Sequence, residues 1–464
     1  MEKTHHHQTL NVEKMKVTNL PSSSPLAEKK TNNNNKLEIV LLTLTTGFLF
    51  ADQNVMAPNL TAIADDFGFD EIERDKKLGG EISLAFFVIG GTASMAIALL
   101  IDKADRRWLF TGTVILGEVS CALTGLSRNF SEFFWLRALT GISIGGALPI
   151  FMSMFADYFP TGQRARSTVF AGIAMSVGTG LGQTVASFVE WRISFVLVSV
   201  PAILTTLIFA LTAKDIKRGG KESYSDKTSD GSEFEHKSYK DLFFAAKDLF
   251  RSPAILLIFM QGLPGSIPWG IISVFLQDYL KEERSLNSEE SVAVLLIFGL
   301  GLLGGSMFGG LVGDYLFARQ KERMLTVVMS VATLVGMGCF LLMINVSFST
   351  TGGFILMAIA TGATSSFTGA NIKPLIMEIT TPDVRGTAFA WFSLADDMGK
   401  GLGPFIISLL IESLGGRAAG FNLAITVGWS LCAINVFLLN FVIVDAVKDA
   451  RRRGEEISRR KQLR

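Results

Sequence analysis

Apolar residues arrive in long blocks separated by short polar connections, and this pattern leaves few folds open. Twelve blocks lie near residues 37–62, 79–101, 108–127, 131–157, 166–188, 192–213, 253–277, 291–315, 324–346, 353–379, 387–411 and 418–444. Each approaches or exceeds the roughly 20 residues with which a helix crosses about 30 Å of hydrocarbon. Inside a bilayer no water satisfies the backbone, so a spanning segment must close its own hydrogen bonds. The alternating ten-residue pattern of a membrane β-barrel is not seen. The blocks therefore predict an all-α membrane protein of twelve transmembrane helices. Composition agrees: 18% of the residues are charged, against about 25% in an ordinary soluble chain.

The net charge of +1 hides an asymmetry. With both termini on the cytoplasmic side, that side holds 32 of the 43 Lys and Arg residues, and the opposite side holds 8. This is the positive-inside pattern, set mainly by the tails and the central linker. Whether the membrane is plasma or endolysosomal is open. Residues 1–36 are polar and read as a disordered cytoplasmic tail, with no apolar core or cleavage-like site of a signal peptide. Residues 446–464 read as a basic cytoplasmic tail. His5, His6 and His7 have no second ligand group near them, and His236 lies in the linker, so neither a metal nor a cofactor is expected. No histidine lies within a segment, and an intramembrane proton relay would have to use carboxylates. Cys121, Cys339 and Cys432 fall inside apolar segments and suggest no disulfide framework.

The strongest composition break, residues 214–252, divides the blocks six and six. It reads as a solvated linker between bundles at 37–213 and 253–445. The bundles resemble each other in sequence: residues 137–187 match 358–408 without a gap. Gly141 meets Gly362, Asp157 meets Glu378, Arg164 meets Arg385, and Gly178 and Gly182 meet Gly399 and Gly403. A six-plus-six parallel repeat is a transporter architecture, with substrate bound near midplane between the halves.

Charged residues inside the blocks narrow the expectation further. "SLADDMGKGLGP", residues 393–404, puts Asp396, Asp397 and Lys400 on the eleventh segment. A single charge at the centre of a spanning helix costs about 2.5–3.5 kcal/mol on the insertion scale, so all three must face protein or a wet cavity. The i,i+3 and i,i+4 spacings let Lys400 reach either carboxylate, which leaves a second acid needing a partner, a proton or a cationic ligand. Helix locking and cavity lining are both open readings. Thr45, Asp52 and Asn59 share one face of the first segment, flanked by Gln53 and Asn54. Ser176, Thr179, Gln183 and Ser187 mark the fifth segment, and Thr364, Thr368, Asn371 and Glu378 the tenth. Arg137 is placed to contact a ligand head group, to pair with Asp52, or to snorkel outward. Lys373 can line the cavity or snorkel. Glu118 has no same-helix partner, and a buried hydrogen bond or a protonated carboxyl is expected. Pro264 and Pro268 in "QGLPGSIPWG" predict a broken seventh helix, as a gate hinge or only a bend.

A charged belt marks the cytoplasmic helix ends: Asp102 with Arg106 and Arg107, Asp157 with Arg164, Glu378 with Arg385, and Asp314. Its repetition in both halves suggests a conformational switch that holds the halves together on the inner side.

"ALLIDKADRRWL" resembles the signature of the major facilitator superfamily, with Ala98 at its first glycine position and Asp105 at its internal one. "RALTGISIGGA", residues 137–147, resembles the superfamily's helix 4 motif. "ADQNVMAPNLTAIADDFG", "RALTGISIGGALPIFMSMFADYFPTGQRAR" and "TPDVRGTAFAWFSLADDMGKGLGP" are most similar to the Spinster-like branch. This chain has Asp52-Gln53 where that branch often has Asp-Arg, and Gly145-Gly146-Ala147 where it often has Gly-Glu-Ala. The resemblance implies an alternating-access carrier of lysolipids or sphingoid lipids, with protons as a candidate coupling ion, working as a monomer among membrane lipids. An organic-anion or sugar carrier of the same fold, held by Arg137, Lys373 and Lys400, is the alternative. A non-transporting receptor or scaffold is a third reading. No nucleotide-binding Gly-Lys-Ser/Thr loop appears, which argues against an ATP-driven pump. Neither an enzyme nor a nucleic-acid partner is expected.

Overall fold

The computed structural model describes residues 25–101, 104–158, 164–213, 249–346, 351–380 and 382–462. The described residues are almost entirely helical: α1 (Pro25–Gln53), a 3-10 turn (Ala57–Asn59), α2 (Leu60–Phe67), α3 (Glu71–Glu73) and a π-helical stretch (Arg74–Glu81). These lead into α4 (Ile82–Leu100), α5 (Arg106–Thr124), α6 (Phe130–Tyr158), α7 (Arg164–Phe188) and α8 (Trp191–Thr212). The second half holds α9 (Pro253–Glu282), α10 (Ser288–Ala318), α11 (Glu322–Asn345), α12 (Thr351–Ile379), α13 (Pro382–Leu414) and α14 (Arg417–Gln462). All twelve expected crossings are present, with α1 and α2 forming the first. Nine helices among the described residues are long and apolar enough to span a membrane. α13 misses that mark because it carries Asp396, Asp397 and Lys400. Large side chains such as Leu211, Leu300, Leu311 and Phe441 point outward, as a lipid-facing surface requires.

The internal repeat is written in backbone contacts. A Cβ on Gly141 would strike the Phe86 carbonyl of α4, and one on Gly362 the Phe298 carbonyl of α10. Likewise Gly178 and Gly182 lie on Gly47 and Ala51 of α1, while Gly399 and Gly403 lie on Leu263 and Ile267 of α9. Each pair is 221 residues apart, so the two halves use the same small residues to bring the same helices together. Across the halves, α4 packs along α13 and α7 touches α10.

Several elements differ from the expectation. The first helix begins at Pro25, not near 37, and the last runs unbroken to Gln462, so part of each polar tail is helical. The first segment is interrupted after Gln53, where Asn54 and Val55 turn and Pro58 enters the 3-10 turn. Pro58 has no amide hydrogen to continue an α-helix. The Asn54 and Asn59 side chains donate to the Phe50 and Val55 carbonyls. The seventh segment, expected to be broken, is continuous as α9 through Pro264 and Pro268. Both prolines press on Gly428 of α14, and neighbouring helices of this kind let a membrane helix keep proline. The His5–His7 run, His236 and most of the central linker lie outside the described residues.

Candidate functional site

α1 begins and α14 finishes at the proximal end of the bundle, opposite the distal end. Asp52 occupies the last turn of α1, just before the interruption, and is fully buried. Arg137 of α6 donates to Asp52 Oδ1 at 2.7 Å, with both side chains at most 3% exposed. Cys121 of α5 donates its thiol to the same oxygen at 2.9 Å. The guanidinium also lies 5.3 Å from the Phe86 ring and 5.2 Å from the Phe195 ring. Glu118, one turn before Cys121, accepts from Ser143 at 3.2 Å and is fully buried. Asp52 Oδ2, Glu118 Oε2 and Arg137 Nε have no hydrogen-bond partner. Ligand atoms of Asp52, Glu118 and Cys121 lie within 4.8 Å of one another. They do not suit a metal, because a guanidinium already holds the carboxylate oxygen that also accepts from the thiol.

The second cluster lies on α13. Lys400 Nζ is 2.6 Å from Asp396 Oδ2 and 3.7 Å from Asp397 Oδ1. Ser266 of α9 donates a short hydrogen bond to Asp396. Asp397 faces Gly91 of α4, across the seam between the halves. All three charged side chains are a quarter to a third exposed. Lys373 of α12 is exposed and within Coulombic range of both acids.

A third cluster seals the distal end and was not singled out from sequence. Arg417, the first residue of α14, binds Asp75 of the π-helical stretch and donates to Asp278 of α9 at 2.9 Å. Arg74 pairs with Asp75 at 3.0 Å and donates to Thr61 at 3.1 Å, and Thr61 donates to Asp278 at 2.9 Å. All four charged residues are 7% exposed or less. Gln277 donates to Ser187, and Lys281 to the Pro58 carbonyl. These bonds join the halves at the distal end. The available signal was Asp278, a lone acid in the apolar run "VFLQDYL", matched by a lone base just after Gly415 and Gly416.

Other expected positions fall into distinct places. Gln53 and Arg137 line a cavity of about 40 Å³ with Phe86, Phe87, Ser83 and Ser273, where the two halves meet. That is room for a water molecule or two. Asn54 also reaches Thr179 of α7, and Gln183 is buried. Asn371 donates to the Gly309 carbonyl and so ties α12 to α10 within one half. Thr45, Asp52 and Asn59 are all buried, and Thr45 bonds Thr205 of α8.

Part of the proximal belt lies among the described residues. Arg106 donates to Ser153 of α6, and Arg107 to the Ala213 carbonyl after α8. Ser153 and Ala213 both belong to the N-terminal half. Asp314 and Glu378 are exposed and share a cavity of about 160 Å³ inside the C-terminal half. Asp102 and the side chains of Asp157, Arg164 and Arg385 lie outside the described residues.

A profile of the Major Facilitator Superfamily matches residues 42–351, and the chain belongs to that superfamily. It is therefore a multi-pass membrane transporter and not an enzyme. The benzoate transport protein of Acinetobacter baylyi (strain ATCC 33305 / BD413 / ADP1) is 22% identical over 380 residues, which cover 78% of this chain and 80% of that protein. Among solved structures, an inward-facing, unoccupied bacterial homologue of the human lysosomal transporter Spinster superposes with a TM-score of 0.71. Its identity is 16%, covering 93% of this chain and 99% of that one. A D-xylose-proton symporter reaches 0.66 at 15% identity, covering 87% and 96%. At such identities the likeness is one of fold.

Proposed function

We propose that the chain is a secondary carrier for an amphipathic, lipid-like substrate, working by alternating access and driven by protons. The observation that carries this reading is the contrast between the two ends of the seam. At the distal end the halves are joined by buried Arg417, Asp75 and Asp278. Deeper along the same seam, Asp396, Asp397 and Lys400 stay partly open. A carrier needs one closed gate and one accessible site at a time. The charge asymmetry of the sequence supports a distal end that faces outward, and on that reading this is the inward-facing state. In that state the zwitterionic patch on α13 would take a head group, and the apolar seam a hydrocarbon chain. The likeness to the Spinster homologue, and the motifs of segments 1, 4 and 11, support a lysolipid or sphingoid lipid.

Thermal stabilisation of the purified protein tests this with lysophospholipids, sphingoid bases, sugars and organic anions at two pH values. A ligand that binds the folded state raises apparent stability by mass action, by about 2.7 kcal/mol at 100 times its Kd. A lysolipid response abolished in Asp397→Asn and Lys400→Ala is the expected result. A response to small anions alone would discard the lipid.

One observation favours that second reading: Arg137 lines the small cavity between the halves. The benzoate transport protein among the relatives points the same way. An anion drawn to that guanidinium would have to displace Asp52 and widen the cavity, and its response would be lost in Arg137→Gln rather than in Lys400→Ala.

A further inference from the structure

The N-terminal cluster holds more acid than it has cations to match. Asp52 takes the only guanidinium, through Oδ1, and the Cys121 thiol remains a donor to that same oxygen. Glu118 has nothing comparable. Its Oε1 accepts one hydroxyl from Ser143, and its Oε2 is sealed from solvent with no partner. The surrounding helices offer no rescue. From α1 the facing charged group is Asp52, and from α6 it is Arg137. From α8 the site receives the Phe195 carbonyl and ring. Arg192 of α8 turns instead to the last turn of α2, where it pairs with Asp66 at 2.6 Å.

An ionised Glu118 would thus be a buried carboxylate beside a second one, with a single base between them. Such an excess is relieved by neutralising one acid. A proton on Glu118 removes the surplus charge. It also supplies a donor on a carboxyl that has an oxygen within 4.8 Å of one of Asp52, whose Oδ2 is left without a partner.

We propose that Glu118 is a proton-binding site of this transporter, holding a proton while Asp52 is locked to Arg137. Asp52 holds the lock through its pair with Arg137, and Glu118 is the group whose proton can exchange when the lock loosens. This deepens the proton-driven reading above by naming the group that carries the proton, and its transport role rests on that reading.

The test reads protonation directly. Infrared spectra of the full-length protein in detergent are recorded across a pH series for wild type, Glu118→Gln, Asp52→Asn and Asp397→Asn. Wild type is expected to show a protonated-carboxyl stretch at neutral pH. The stretch is lost in Glu118→Gln and kept in Asp397→Asn. In Asp52→Asn it should vanish at a lower pH, because the neighbouring negative charge is gone and Arg137 is freed to pair with Glu118. Glutamine copies the shape and neutrality of the protonated acid, so Glu118→Gln should also fold with wild-type yield. A stretch that persists in Glu118→Gln, its absence from wild type, or a Glu118→Gln protein that cannot fold would each overturn the proposal. Uptake into vesicles with and without a pH gradient separates the two ideas. Gradient-independent uptake with the Glu118 stretch intact overturns the proton-driven reading and leaves the binding site standing. Gradient-driven uptake without that stretch does the reverse.

Discussion

The Asp52–Arg137 pair and the Asp396–Lys400 pair are chemically alike and almost equally short, at 2.7 and 2.6 Å. Their surroundings differ. The first is sealed, with side chains at most 3% exposed, whereas the second is about 30% exposed. A sealed pair is coupled to the fold, since removing one partner strands a charge where no water can reach it. An open pair is screened and adds little to stability. It is correspondingly free to exchange its partner for a ligand. Similar ion pairs thus differ in how tightly each is tied to the fold.

The largest expected effect tests the sealed side. Arg137→Met keeps the aliphatic stem and strands Asp52, and should lower stability by about 3–5 kcal/mol in equilibrium unfolding in mixed micelles. Adding Asp52→Asn should restore most of that loss. A cost below about 1 kcal/mol for the single variant would mean that Asp52 is not charged in the fold, and the contrast between the halves would collapse. The distal seal comes next. Arg417→Ala leaves Asp75 and Asp278 facing each other without their shared base. Because this contact joins the two halves, a loss of about 2–5 kcal/mol should appear as a shift toward a distally open state. Reaction of an introduced Ser83→Cys thiol with a reagent added from the distal side reads that shift, since Ser83 lines the cavity below the seal. An unchanged labelling rate would show that the four buried charges do not hold the gate.

The sequence made the scaffold and the open cluster readable for one reason: both are local patterns. Hydrophobic blocks mark crossings, a 221-residue offset pairs Gly141 with Gly362, and i,i+4 spacing pairs Asp396 with Lys400. The sealed cluster was half readable. Asp52 with Arg137 was among the open readings, but Cys121 and Glu118 join them through contacts between α1, α5 and α6 that no spacing encodes. The distal seal was hidden in the same way. Asp75 and Arg417 lie 342 positions apart, and each alone looks like an ordinary loop-end charge. Pro264 and Pro268 misled in the other direction, because their local rule favours a break that packing against Gly428 overrides.

On the open side, Asp397→Asn should change stability by less than about 1 kcal/mol, the range of exposed ion pairs. Its effect should fall on ligand response, which separates recognition from folding. A destabilisation matching that of Arg137→Met would show that α13 is locked in the same manner as α6.

The smallest expected effect comes from Ser266→Ala, which removes the hydroxyl that α9 gives to Asp396. The carboxylate keeps Lys400 and water, so about 1 kcal/mol or less is expected in the same unfolding assay, near the net worth of one hydrogen bond. The same deletion at Ser143 gives the counterpart on the sealed side, where Glu118 would lose its one hydroxyl partner without access to water. Ser143→Ala should therefore cost more than Ser266→Ala. Equal costs would mean that water reaches both carboxylates, and that solvent access does not distinguish the two clusters.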